Sequence, residues 1–194
     1  MAYRELIDSI RYISLGDECG VMGNIANIIT YKGRFYIQEE QFDRVFIYDD
    51  TGRCLKKIDN KGRGPGEYLR IESIDINTEK EELMLVDGMS DKLFFYDLDG
   101  NFKSIHSIRY FQTENTLCLR DSVFLHISAP SQNFGNEGLY GYALVLSKGN
   151  ENFLKGYRYL PLQVGYKGGG QIFKGYERCL LYTSPSPRDA HESR

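Results

Sequence analysis

The sequence predicts an all-β repeat fold, on three observations. First, sliding the chain against itself by 48 positions, the distance from Asp43 to Asp91, brings like residues together. Phe46 falls on Phe94, Tyr48-Asp49 on Tyr96-Asp97 and Gly52 on Gly100. Ile28 falls on Ile76, Phe35 and Ile37 on Leu83 and Leu85, and Ala26 on Ile74. A fixed period of roughly 20–50 residues marks solenoids and propellers. Second, each unit holds short apolar runs rich in Ile, Val, Phe and Tyr, separated by Lys32-Gly33, Thr51-Gly52 and Asp99-Gly100. Such runs are strand chemistry, and a glycine after a polar residue supplies the positive φ of a tight hairpin. Third, no long stretch carries the 3.6-residue period and caps of a helix, the opening Tyr3–Ile13 alone being ambiguous. Together these predict a partial β-propeller, about three four-stranded antiparallel blades.

In the first unit the strands are expected at Ala26–Tyr31, Arg34–Glu39, Arg44–Asp49 and Arg53–Ile58. In the second they are expected at Glu72–Asn77, Glu82–Asp87, Lys92–Asp97 and Asn101–His106. Alternation is clear in Ile74-Asp75-Ile76 and blurred in Val45–Tyr48, which suits a strand buried on both faces between stacked blades. The third unit drifts. Thr116–Leu119 and Val123–Ser128 form a hairpin around Arg120-Asp121, and Ala129–Gly138 is a largely polar loop. Tyr140–Ser147 and Phe153–Leu160 follow, joined at Lys148–Asn152, and a further unit starts near Gly168-Gly169-Gly170. The blades thus span about 20–60, 69–108 and 112–161, with the start of another at 162–178.

Between the first two units lies Lys61-Gly62-Arg63-Gly64-Pro65-Gly66-Glu67-Tyr68. With Ile74-Asp75-Ile76, Leu83–Asp87, Lys92–Asp97 and Asp99-Gly-Asn-Phe102 it resembles an NHL-type repeat. More closely, residues 7–178 resemble the six-bladed β-propeller proteins common in Bacteroides-type gut bacteria. The resemblance implies six blades around a channel in an exported protein, often a lipoprotein, placed in the periplasm or at the cell surface. The chain departs from that pattern in three ways. It has about three blades. Met1–Gly16 lacks the basic and apolar regions of a signal peptide. Its end, Cys179–Asp189, resembles a translated transposase-adapter sequence from DNA library preparation, so residues 179–194 are set outside the fold. The natural part, 1–178, is therefore expected to be a fragment that self-associates through uncapped end blades.

Composition excludes several classes. No run approaches the ~18 apolar residues of a membrane span. The net charge of −3 gives no electrostatic footprint for nucleic acid. Cys19, Cys54 and Cys118 have no short ligand spacing, so no metal site is expected. Each is read first as an inert buried thiol, with a Cys19–Cys54 or Cys54–Cys118 disulfide as the alternative in an exported protein.

No cofactor or catalytic signature stands out. Gly62-x-Gly64-x-Gly66 looks like a phosphate loop, but Pro65 removes a donor and a strand follows rather than a helix, so it reads as a turn between blades. Asp97-x-Asp99-Gly100 lacks the later acidic ligand of a calcium loop and reads as a hairpin turn. Asp43, Asp49, Asp91 and Asp97 recur with the repeat, which points to capping of turn amides. His126 lies mid-strand between Leu125 and Ile127 and reads as a packed or edge histidine.

The loop Ala129–Gly138 is the candidate binding element, because it is long and interrupts the repeat. Its candidate contact residues are Ser131, Gln132, Asn133, Phe134 and Asn136, with Tyr140 beside them. The expected role is non-catalytic binding or scaffolding of a protein, peptide or glycan. The alternative is a lactonase or lyase, whose inner-strand residues here would be Asn27, Glu72, Asp75 and Asn77.

Overall fold

Among the described residues, twelve strands form three antiparallel meanders in chain order, as the repeat requires. β1 (Ile25–Tyr31), β2 (Arg34–Glu39), β3 (Arg44–Asp49) and β4 (Cys54–Ile58) make the first sheet. β5 (Ser73–Asn77), β6 (Glu82–Asp87), β7 (Lys92–Asp97) and β8 (Phe102–Ser107) make the second. β9 (Asn115–Cys118), β10 (Val123–Ile127), β11 (Tyr142–Lys148) and β12 (Asn152–Arg158) make the third. The structure is a computed structural model that describes residues 9–108, 115–120, 122–127, 142–149 and 152–158. The 162–178 unit, the 179–194 tail and the loop 129–138 lie outside the described residues.

The 48-residue register holds residue for residue in β2 and β6 and in β3 and β7. Side-chain alternation sorts the strands into two faces. From blade 1, Tyr36, Val45, Ile47 and Ile58 meet Ile74, Ile76, Leu83, Leu85, Phe94 and Tyr96 of blade 2 in one core. The opposite face of blade 2, with Met84, Val86, Leu93 and Phe95, packs on Phe124 of blade 3. Strands β3 and β7 are therefore buried on both faces, which explains their blurred alternation. β5 touches both β1 and β9 across the blades, as the innermost strands of a propeller do.

The crossing segment ties the first two blades. Lys61 and Tyr68 form an isolated parallel bridge, and the Glu67 carboxylate accepts from the Gly64 amide at 2.7 Å. No helix opens after the glycines; a strand does. Tyr68 is fully buried, its hydroxyl donating to the Asp43 carbonyl and accepting from the Asn60 amide.

Three expectations are corrected. Asp49 and Asp97 do cap their turns, accepting from Thr51 and Arg53 and from Asp99 and Asn101 respectively. Asp43 does not cap its own turn. Its carboxylate pairs with Lys61 and accepts from the Ile71 amide across the crossing, and its backbone sits at φ 57°. Asp91 takes the same left-handed conformation, but its Oδ1 is buried without a partner. The β2–β3 and β6–β7 turns are capped instead by Glu39 and Asp87, one repeat apart.

The second correction concerns cysteine. Cys19 and Cys54 form a disulfide across 35 residues, while Cys118 is free and half-buried. The third concerns the first blade's outward face. Ile37, Phe46 and Tyr48 on that face are buried, because the segment before β1 covers them with Cys19 and Met22. At the inner end Ile28 is half exposed while its counterpart Ile76 is buried.

Candidate functional site

The predicted binding loop leaves β10 at Ile127 and returns at Tyr142 of β11, its antiparallel partner. Its candidate residues Ser131, Gln132, Asn133, Phe134, Asn136 and Tyr140 lie outside the described residues. The strands on either side of it, β10 and β11, correspond in the meander to β2–β3 and β6–β7, whose turns carry Asp43, Asp87 and Asp91. Asp87 accepts from the Leu69 amide at 2.7 Å, and burial followed by the nearby Asp87 pushes the Asp91 carboxyl above its ordinary range.

The inner-strand residues do not converge. Asn27 is exposed. Asn77 is buried and caps its own turn at Glu79 and Lys80. Glu72 pairs with Arg70 at 3.2 Å. Asp75 is half-buried on β5, and its carboxylate accepts from the Cys118 amide at 2.6 Å. Burial raises the Asp75 carboxyl above its ordinary range despite that bond.

The sequence offers His126 as a packed or edge histidine; the structure gives it two hydroxyl partners. Its Nδ1 lies 3.0 Å from the Thr116 hydroxyl and its Nε2 lies 2.8 Å from the Ser147 hydroxyl. Thr116, His126 and Ser147 come from β9, β10 and β11, and all three are buried. Burial drives the imidazole down to about 4, so it is neutral near pH 7. This is a serine–histidine pair with both side chains buried in the third sheet. Nothing in the one-dimensional spacing of Thr116, His126 and Ser147 signals it; only the strand register does.

Cys118 is likewise poorly suited to nucleophilic work, since burial and then the Asp75 charge push its thiol up to about 11. Among the described residues, no three His, Cys, Asp or Glu side chains gather as a metal site, and no helix is long and apolar enough to cross a membrane.

Two clefts open between blades 1 and 2. One, of about 440 Å³, is lined by Lys32, Arg34, Glu81 and Asp99 at the hairpin end, where Lys32–Glu81 and Arg34–Asp99 ion pairs staple the blades. The other, of about 280 Å³, lies along the outer strands beside Tyr96 and Phe102.

Three stacked four-stranded meanders with adjacent inner strands define a β-propeller, here a partial one. The chain belongs to the family described as Domain of unknown function (DUF4934), whose model matches residues 1–182. No curated protein matches it. Among solved structures it is similar to a Bacteroides fragilis protein assigned as exported, with a TM-score of 0.70 and 20% identity over 81% of this chain and 44% of that one. Weaker likenesses are to a DUF4221 family member of Bacteroides vulgatus, with a TM-score of 0.44 and 8% identity over 71% and 42% of the two chains. A third is to the Cps50 (Swd1) β-propeller domain of Myceliophteria thermophila, at 0.40 and 16% over 86% and 46%. The chain spans under half the length of each.

Proposed function

We propose that this protein is a binding or scaffolding propeller module of an exported bacterial protein, with a protein, peptide or glycan as its ligand. The observation that carries this reading is how the polar side chains are used. Asp49, Asp97, Glu39 and Asp87 close turns, Asp43 and Tyr68 stitch blades, and the serine–histidine pair is buried in the third sheet. Such a scaffold holds loops rigidly, and loops on a rigid scaffold are where binding resides. The loop 129–138, with Ser131, Gln132, Asn133, Phe134, Asn136 and Tyr140, is the proposed contact surface.

Export is supported by the Cys19–Cys54 disulfide, which belongs to an oxidising compartment, and by the assignment of the B. fragilis neighbour. In this reading the whole ring has six NHL-like blades, this chain supplies about three, and residues 179–194 are foreign to it. Asp75, an inner-strand carboxyl raised by burial, favours a second reading as a lactonase or lyase completed by further blades.

The test replaces residues 129–138 by a short Gly-Ser linker in the full chain. Binding to a panel of peptides and polysaccharides is then measured beside lactone hydrolysis and uronide elimination. The expected result is saturable binding that the replacement abolishes. Turnover that disappears in Asp75→Asn would establish the second reading instead.

A further inference from the structure

Strand register carries the repeat into the third blade, where sequence likeness fades. Val123 pairs with Lys148 as Arg34 pairs with Asp49, and Leu144 pairs with Tyr157 as Val45 pairs with Ile58. Leu125, Leu144, Leu146 and Tyr157 therefore stand where blade 1 has Tyr36, Val45, Ile47 and Ile58. Those four in blade 1 are at most 2% exposed, because blade 2 packs on them. In blade 3, Tyr157 is 45% exposed, Leu125, Leu144 and Leu146 are partly exposed, and Leu117 of β9 joins them at 36%. The opposite face of the same sheet is closed, with Phe124 in the core shared with blade 2 and Val145 fully buried. Blade 3 thus has a face patterned for a neighbour and left partly open.

On blade 1 the face turned away from blade 2 carries a strap. Residues 13–19 cross the outer end of the blade without joining a sheet. The Tyr48 hydroxyl donates to the Gly16 carbonyl at 3.2 Å, and the Gly16 amide donates to the Gly52 carbonyl at 2.8 Å. The Glu18 carboxylate accepts from the Cys54 amide at 3.3 Å, beside the Cys19–Cys54 bridge. The strap grips the blade through its backbone, the bridge and Met22. Its apolar side chains Tyr12, Leu15 and Val21 remain exposed. On the same face of blade 1, Ile28 is half exposed, whereas its counterpart Ile76 packs on blade 1.

The two surfaces differ in charge. Strands β9 to β12 contain no Asp or Glu. Lys148 alternates with Leu144 and Leu146 on the open face, Lys155 alternates with Tyr157, and both lysines are exposed. The Lys155 ammonium lies 5.0 Å from the centre of the Tyr157 ring, so the charge borders the apolar patch. The strap instead presents Asp17 and Glu18, both exposed. Its one cation, Arg11, is turned onto the Asp50 carbonyl at 2.9 Å. Pairing either surface with its own copy would set like charges together, whereas pairing the one with the other opposes unlike charges and fixes the partner.

We propose that the open face of blade 3 docks the strap side of blade 1 of a second copy of this chain, head to tail. Leu117, Leu125, Leu146 and Tyr157 receive the apolar side chains of the strap, and Lys148 and Lys155 meet Asp17 and Glu18. The residues that make the contact are already accessible in each copy, so the strap stays on its blade and the bridge stays closed. Removing the two apolar patches from water supplies the drive, and exposed patches of this kind mark interaction surfaces. The contact joins unlike surfaces, so each copy keeps one of each to offer, and the assembly closes on itself or continues. This inference goes beyond the ligand-binding role and does not rest on the loop 129–138.

The experiment is sedimentation equilibrium of the full oxidised chain, its free thiols blocked with iodoacetamide in the absence of reductant. Reversible association in the micromolar range is expected, weakening as salt rises. Lys155→Glu and Asp17→Lys should each weaken it about 5–10-fold, and the two changes in one chain should restore it to within about 3-fold. Asp17→Lys brings the net charge nearer zero, so a loss there is not general repulsion. Restoration in the double variant separates lost docking from lost folding, and only a head-to-tail contact allows it. Tyr157→Asp, in the apolar patch, should weaken association at least about 10-fold. The proposal is overturned if the chain stays monomeric into the high micromolar range, or if Tyr157→Asp leaves association unchanged. It is equally overturned if the two charge changes add their losses instead of cancelling.

Discussion

Replacing Tyr68 by Phe removes one oxygen from the join between the first two blades. The ring loses nothing else: it packs edge-on to Phe94 at 6.0 Å and is fully buried. The hydroxyl donates to the Asp43 carbonyl at 2.8 Å and accepts from the Asn60 amide at 3.1 Å. Burial holds it well above the usual phenol range, so both bonds persist across neutral pH. In Tyr68→Phe the Asp43 carbonyl and the Asn60 amide lose that partner inside the protein. Each orphaned group costs about 1–3 kcal/mol, so a loss of about 3 kcal/mol is expected. With a urea slope of roughly 1–3 kcal/mol/M, the midpoint should fall by about 1–3 M. Tyr96→Phe is the matched control, because the same oxygen is removed from an equally buried ring whose hydroxyl has no partner. Urea unfolding followed by circular dichroism compares the two. If Tyr68→Phe shifts the midpoint no more than Tyr96→Phe does, the join is not held by that hydroxyl and the reasoning fails.

Two further outcomes follow from the same structure. The His126 imidazole is held at about 4 against an ordinary 6.5, so its contribution is complete above about pH 6.5 and is lost as pH falls toward 4. That loss is worth about 3 kcal/mol, while Asp75 and Asp91, raised by burial, act in the opposite direction as pH falls. His126→Gln should flatten the stability profile between pH 6.5 and 4; an unchanged slope there would assign the acid sensitivity to other groups. Reducing the Cys19–Cys54 bridge releases a closure of 35 residues and should lower stability by roughly 3–4 kcal/mol. A thermal midpoint unmoved by reductant, with free thiols verified, would show that the strap is held without it.

The blades were legible because their information is local and repeated. Asp43 to Gly52 matching Asp91 to Gly100 set the register, and the observed β2, β3, β6 and β7 bounds coincide with it. The turn roles of Asp49 and Asp97 were legible for the same reason, since each carboxylate caps amides two and four residues ahead. Asp43 was misread because its partners, Lys61 and Ile71, lie 18 and 28 residues on, in a segment whose path is set by blade stacking. The disulfide was left open because three cysteines without short spacing allow several pairings. The His126 network was hidden because it joins three strands through their register.

The strap changes how the first blade is understood. A propeller blade is stabilised by its two neighbours, so an end blade ordinarily leaves one face bare. Here the outer half of that face is covered by residues that precede β1 and are fixed to β4 by a disulfide. Gly52 shows what the strap replaces. In blade 2 the same glycine position, Gly100, packs against Lys56 and Ile58 of the neighbouring blade's outer strand; in blade 1, Gly52 packs against Ile13 and Ser14. The strap therefore stands where a preceding blade's outer strand would stand. It does not reach the inner strand. On the first blade the expected exposure of a whole apolar face is thus reduced, with Ile25 and Ile28 on β1 remaining about half exposed. The same comparison explains why Tyr48 is satisfied and Tyr96 is not: an extended peptide brings a carbonyl to the tyrosine, and a packed blade edge does not.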